Sequence, residues 1–132
     1  MEFLKKIFSS EKNEKSQEPK EEISWKILEN SEQLKAIKKE SESKPVAIFK
    51  HSTRCGISRM ALNRFEKNYA ISSDQMSLYF LDLLSNRSLS NEIANQFQVV
   101  HESPQLIVIR DGKAVYHTSH SGIDAQSLQR FL

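Results

Sequence analysis
The chain has a single cysteine, Cys55, in the run His51-Ser52-Thr53-Arg54-Cys55-Gly56-Ile57-Ser58. An apolar, β-branched run precedes it and a helical pattern follows it. A thiol at a strand-to-helix junction meets unpaired backbone N–H groups and the positive end of the helix dipole, and both favour its ionised form. That form matters because thiol–disulfide exchange needs a thiolate. A free cysteine, with a pKa of about 8.5, supplies little of it near neutrality. Gly56 opens the helix, and Arg54 and Lys50 add positive charge if they turn toward the sulfur. The bland alternative is that Cys55 is a small core residue. The preceding Ser-Thr-Arg and the following glycine argue against it.

Three residues past Cys55 stands Ser58, where two-thiol redox sites carry a second cysteine. A serine cannot resolve a mixed disulfide. It can donate a hydrogen bond to the Cys55 thiolate from one helical turn away, or it can simply be first-turn polarity. Redox chemistry at this site therefore runs on one thiol. His51, His101, His117 and His120 show no paired spacing, so no closed metal site is expected. His51 lies closest in sequence to Cys55 and could tune it, but its position at the end of the apolar run reads first as a strand-end residue facing solvent.

The elements that position these residues can be read from periodicity. Trp25, Ile27 and Leu28 suggest a short first strand, and Ser31 is a good cap for a helix carrying Leu34, Ala36 and Ile37. Val46-Ala47-Ile48-Phe49 is a continuous apolar run, as in a strand buried on both faces. Ile57, Ala61, Leu62, Phe65 and Tyr69 mark one face of a helix starting after Cys55. A second buried strand, Leu78–Leu81, ends at Asp82. Leu89, Ile93, Ala94 and Phe97 give a third helix, with Ser88 or Ser90 as its cap. Leu106–Ile109 is a third buried strand, Asp111-Gly112 a hairpin signal, and Ala114–His117 the returning edge strand. Asp124 caps a last helix with Leu128 and Phe131. Alternating strands and helices predict parallel pairs with helices on both faces of the sheet, and the hairpin adds an antiparallel ending.

Bulk properties bound the rest. A chain of 132 residues with a net charge of +2 fits one domain with a hydrophobic core. It has no basic stripe interleaved with aromatics, so no nucleic-acid partner is expected. One cysteine excludes an internal disulfide and suggests a reducing, cytoplasmic setting. Phe3, Leu4, Ile7 and Phe8, interrupted by Lys5 and Lys6, are too short and too charged for a membrane span. Ser9–Glu22 is nearly all polar and charged, so residues 1–22 are expected to be a flexible lead-in to a domain at 23–132.

The α/β pattern with its thiol after the second long run resembles the thioredoxin-like fold: a mixed sheet flanked by helices on both faces. The residues narrow the resemblance. Phe49-Lys50-His51-Ser52-Thr53-Arg54-Cys55-Gly56-Ile57-Ser58 resembles the active-site segment of the YtxJ-type, single-thiol bacilliredoxins, and Glu102-Ser103-Pro104-Gln105 falls where thioredoxin-like proteins carry a cis-proline loop. The resemblance spans Ile23 to Leu132. It implies a monothiol oxidoreductase that acts on mixed disulfides between client proteins and bacillithiol, a low-molecular-weight thiol serving as co-substrate, with no tightly bound cofactor and no metal. Cys55 would be the nucleophile, supported by Arg54, Gly56 and Ser58. Lys50, Ser52, Thr53, Ser103, Pro104 and Gly122 would bind the substrate, with Lys50, Thr53 and Arg54 meeting the carboxylates of bacillithiol. Ser121, Gly122 and Asp124 lie where glutaredoxin-like proteins hold their thiol cofactor. The expected partners are bacillithiol and S-thiolated proteins, with the chain acting as a monomer. Two rivals stay open at this point. Cys55-Gly56-Ile57-Ser58 is close to the C-G-F-S of monothiol glutaredoxins that carry a [2Fe–2S] cluster, and a thioredoxin-like adaptor would need no chemistry at all.

Overall fold
The computed structural model describes residues 23–132, and the expected lead-in lies outside them. Five strands form one sheet: β1 (Trp25–Ile27), β2 (Val46–His51), β3 (Ser77–Asp82), β4 (Gln105–Arg110) and β5 (Lys113–Ser119). Their spatial order is β1-β3-β2-β4-β5. β3 runs parallel to both β1 and β2. The alternation of elements predicts parallel pairing until the hairpin, but β4 is already antiparallel to β2, with Lys50 opposite Gln105. The chain therefore enters β4 beside the carboxyl end of β2. This places the residues just before β4 next to those just after β2.

Both faces of the sheet are covered. On one face α1 (Glu32–Glu40) and α3 (Arg87–Phe97) bury Leu34, Ile37, Leu89, Ile93 and Phe97 against Val46, Ile48, Leu81, Ile107 and Ile109. On the other, α2 (Gly56–Asn68) and a 3-10 helix (Ala125–Phe131) bury Ala61, Phe65, Ala125 and Leu128 against Ala47, Phe49, Leu106 and Val108. The apolar runs of β2 and β4 are thus apolar because neither face meets water. Asp111 and Gly112, at φ 54° and 77°, close the β4–β5 hairpin in the left-handed conformation that a two-residue primed turn demands. Among the described residues no helix is long and apolar enough to cross a membrane.

Two caps differ from the sequence reading. Ser31 precedes α1 but makes no side-chain cap hydrogen bond. Asn30 does that work: its Oδ1 accepts from the Gln33 N–H at 3.2 Å, while Gln33 Oε1 accepts from the Glu29 and Asn30 N–H groups. α3 begins at Arg87 after Asn86, so Ser88 and Ser90 lie inside it and Ser90 is buried. The last helix is a 3-10 helix, and Asp124 does cap it by accepting from the Gln126 N–H at 3.1 Å.

Glu40, at the end of α1, accepts from Ser77 Oγ, from Tyr79 Oη at 2.8 Å and from Lys26 Nζ at 3.2 Å. Burial alone would raise its pKa, but these donors outweigh it and hold the carboxyl below its ordinary value. Glu40→Ala leaves two hydroxyls without their acceptor and is expected to cost roughly 2–3 kcal/mol in urea melts at pH 7. Because the folded pKa is depressed, Glu40's contribution is complete above about pH 4.3 and fades as pH falls through the folded value. The variant should show a correspondingly weaker acid dependence.

Candidate active site
Cys55 is the N-cap residue of α2, half-exposed and in extended conformation (φ −104°, ψ 121°), with no side-chain cap hydrogen bond. Its carbonyl opens the helix by accepting from the Arg59 N–H at 3.1 Å, and its own N–H closes a turn onto Ser52 O at 3.2 Å. The sulfur therefore stands at an open helix N-terminus, where unpaired N–H groups favour negative charge. Gly56 keeps its flank open, since a Cβ there would meet only the Arg59 guanidinium at 3.9 Å.

Three segments converge at this end of the sheet. The first is the Ser52–Cys55 turn. The second is the run into β4, where the Ser103-Pro104 peptide is cis. The register pairs Lys50 with Gln105, so Pro104 falls one position further, beside His51. The third is the 3-10 turn His120–Gly122 after β5, whose His120 N–H donates to Pro104 O at 3.1 Å. A site outside the carboxyl ends of parallel strands is where open α/β sheets place their chemistry.

The loop into β4 is held by side chains. Gln105 is buried, donates from Nε2 to Val100 O at 2.9 Å and accepts at Oε1 from the Glu102 N–H. Ser119 Oγ donates to Glu102 Oε1. The Ser103 hydroxyl is buried with no hydrogen-bond partner among the described residues.

Residues 26–128 match the family model described as monothiol bacilliredoxin BrxC. The chain belongs to this family. Among solved structures, it is 31% identical to one assigned as an oxidoreductase with a thioredoxin fold, covering 80% of this chain and 91% of that one with a TM-score of 0.68. Thioredoxin from Malassezia sympodialis is 19% identical, with 88% and 94% covered and a TM-score of 0.66. Thioredoxin from Trypanosoma brucei brucei is 19% identical, with 83% and 88% covered and a TM-score of 0.63. The last two speak to the fold alone. Together the family and the fold give this bacilliredoxin a thiol redox function.

The site residues read from the sequence divide into those that lie on the three segments at this end of the sheet and those that turn into the core. Thr53 and Arg54 are exposed on the turn, Ser52 and Ser103 are half-exposed, Pro104 is buried and Gly122 is exposed. Gly122 has a steric reason to be glycine: a Cβ would come within 2.5 Å of Thr118 Oγ1 on β5.

Three expectations are corrected. Lys50 does not reach solvent to meet a carboxylate. It alternates with Phe49, shares the face of Ile48 and is fully buried under α3, where Nζ donates to Ser90 O at 3.2 Å and lies 3.2 Å from His101 Nδ1. Burial pushes its pKa down to about 8. His51 does not face solvent either, because it sits on the α2 face and is buried, 2.8 Å from Ser58 Oγ. Ser58 is buried as well, and its hydroxyl is bonded to His51 and to the Ser52 N–H at 3.0 Å rather than to the sulfur. Sequence reasoning ended the strand at Phe49, where the apolar run stops. Carrying the two-residue alternation through Lys50 and His51 would have turned both inward.

Proposed function
We propose that this bacilliredoxin removes bacillithiol from protein mixed disulfides through Cys55. The Cys55 thiolate attacks the bacillithiol sulfur of the mixed disulfide. A new S–S bond forms, the old one breaks, and the client protein leaves as a thiolate that takes a proton from water. Cys55 is left disulfide-bonded to bacillithiol. A second, external thiolate then attacks the bacillithiol sulfur of that bond, leaving with bacillithiol as a new disulfide and restoring the Cys55 thiolate. The observation that carries this reading is the half-exposed sulfur at the start of α2 in a chain whose position 58 is an engaged serine. Without a second cysteine the mixed disulfide cannot resolve within the chain.

Arg54 and Thr53, exposed beside the sulfur, are the groups in this proposal that meet the carboxylates of bacillithiol, Arg54 in bidentate fashion. Lys50 takes no part in that contact. The client's backbone lies along Ser103, next to Pro104.

Intact-mass spectrometry after incubation with oxidised bacillithiol and, separately, oxidised glutathione tests the proposal. One bacillithiol per chain is expected, formed faster than the glutathione adduct. Arg54→Ala should slow the bacillithiol reaction by roughly two- to fivefold, the worth of one solvent-exposed ion pair. It should leave the rate with an uncharged disulfide nearly unchanged. Equal rates with the two disulfides would make the protein a general thiol–disulfide reductase.

A further inference from the structure
Beyond β2 the chain leaves the sheet through His51 and Ser52, turns at Thr53 and Arg54, and starts α2 at Gly56. One hydroxyl joins the two ends of that path. Ser58 Oγ accepts from the Ser52 N–H at 3.0 Å and lies 2.8 Å from His51 Nδ1. Both side chains are buried. A serine hydroxyl has one proton and two lone pairs. These two bonds use two of those three capacities within the turn, and neither reaches the sulfur. The imidazole is also seated on Phe80, with ring centroids 5.5 Å apart. Burial pushes its pKa below the ordinary histidine value. Asp82 on β3 and Glu66 on α2 oppose that shift, and Arg59 on α2 reinforces it.

We propose that His51 is a positioning residue for the Cys55 reaction: acting through Ser58, it clamps the Ser52–Cys55 turn to the first turn of α2 and so fixes the sulfur at the open end of the helix. Ser58 is then neither a ligand of the thiolate nor a silent replacement for a second cysteine. It is the middle member of a strand–hydroxyl–turn tie. Arg59 braces the same turn from outside, with Nη1 donating to Thr53 O at 3.4 Å.

The inference rests on Cys55 being the reacting thiol, whichever small thiol it exchanges with, so its test uses neither bacillithiol nor a client protein. The full chain is assayed for the second-order rate of Cys55 with iodoacetamide and with 2-hydroxyethyl disulfide. His51→Phe keeps a ring against Phe80 but removes the nitrogen. His51→Asn keeps a polar group where Nδ1 stands. Ser58→Ala and His51→Phe should each slow both reactions by roughly tenfold, as expected when a reacting group loses its fixed geometry. The double variant should be no slower than either single one, because both cut the same tie. His51→Asn should retain most of the rate, within about threefold, because it restores the bond. Full reactivity in His51→Phe, or a His51→Asn protein as slow as His51→Phe, would overturn the proposal. Should Ser58→Ala not fold, the comparison of the Asn and Phe variants decides alone. Failure of the bacillithiol reading would appear in the mass experiment on the unaltered protein and leave these rates as they are.

Discussion
Replacing Cys55 by serine abolishes mixed-disulfide formation and, on the geometry of α2, makes the protein more stable. The first half follows from the inventory of sulfur, since the sequence offers no other thiol to attack a disulfide. The second half is less obvious. Cys55 occupies the N-cap in extended conformation but gives the helix no side-chain hydrogen bond. Serine is among the preferred residues there, because its oxygen accepts from an N–H of the first turn, a contact typically worth about 1 kcal/mol. A gain of about 0.5–1 kcal/mol, a rise of a few degrees in Tm for a domain of this size, is therefore expected from thermal melts. Intact mass after exposure to any disulfide should stay unchanged. A mass gain in Cys55→Ser would remove the thiol from the centre of the chemistry. A loss of more than about 1 kcal/mol would mean that the sulfur is packed as a core atom. Stability given up at a reacting residue is the usual signature of a site kept for function.

How far this was legible in the sequence depends on what kind of interaction fixed each element. Strands β2, β3 and β4 show as unbroken apolar runs because burial on two faces demands them. The Asp111-Gly112 turn shows because few residues tolerate its backbone. The Cys55 junction shows because a strand pattern ends and a helix pattern begins around it. The sequence-based picture weakens where polar side chains are buried. Lys50 and His51 look like the solvent end of a strand. They turn inward because the strand continues and because partners outside the strand await them: Ser90 and His101 for Lys50, and Ser58 for His51. Ser58 illustrates the limit of spacing rules. A separation of three residues makes it a helical neighbour of Cys55, whereas its bond to His51 depends on how β2 enters α2. The Asn30 cap was missed for a smaller reason, since its signal is a reciprocal pair with Gln33 rather than one residue type.

The buried lysine leads to the other large effect. Lys50 Nζ is bonded to a carbonyl and lies against a ring nitrogen, with no carboxylate among its hydrogen-bond partners in the described residues. His101 Nδ1 also lies 3.1 Å from Ser90 Oγ, so it serves this cluster best as a bare acceptor, and burial together with the charge of Lys50 holds the imidazole below its ordinary pKa. Taking Lys50 from 10.5 to about 8 means that its charge opposes folding at neutral pH. At about 1.4 kcal/mol per pH unit, the opposition is on the order of 3 kcal/mol at most. Lys50→Met fills the same space without the charge. Ser90 O lies inside α3 and keeps its helical donor, and His101 keeps the Ser90 hydroxyl. The variant is therefore expected to be more stable than the natural sequence by roughly 1–3 kcal/mol at pH 7, as when a buried charge gives way to an apolar side chain of similar volume. The pH dependence carries the sign. Between about pH 8 and 10 the unfolded chain binds a proton on Lys50 that the folded chain has released, so stability of the unaltered protein rises with pH in that window. Above about pH 10 the trend reverses. There Tyr69, pushed up to about 12 by burial, and Tyr79, raised by burial and by Glu40, hold protons that the unfolded chain gives up. Urea melts at pH 7, 9 and 10 should show the rise in the unaltered protein and no rise in Lys50→Met. A variant that is less stable at pH 7, or one that keeps the rise, would mean that the ammonium group is stabilised in its pocket and that the cluster holds the loop into β4 by charge.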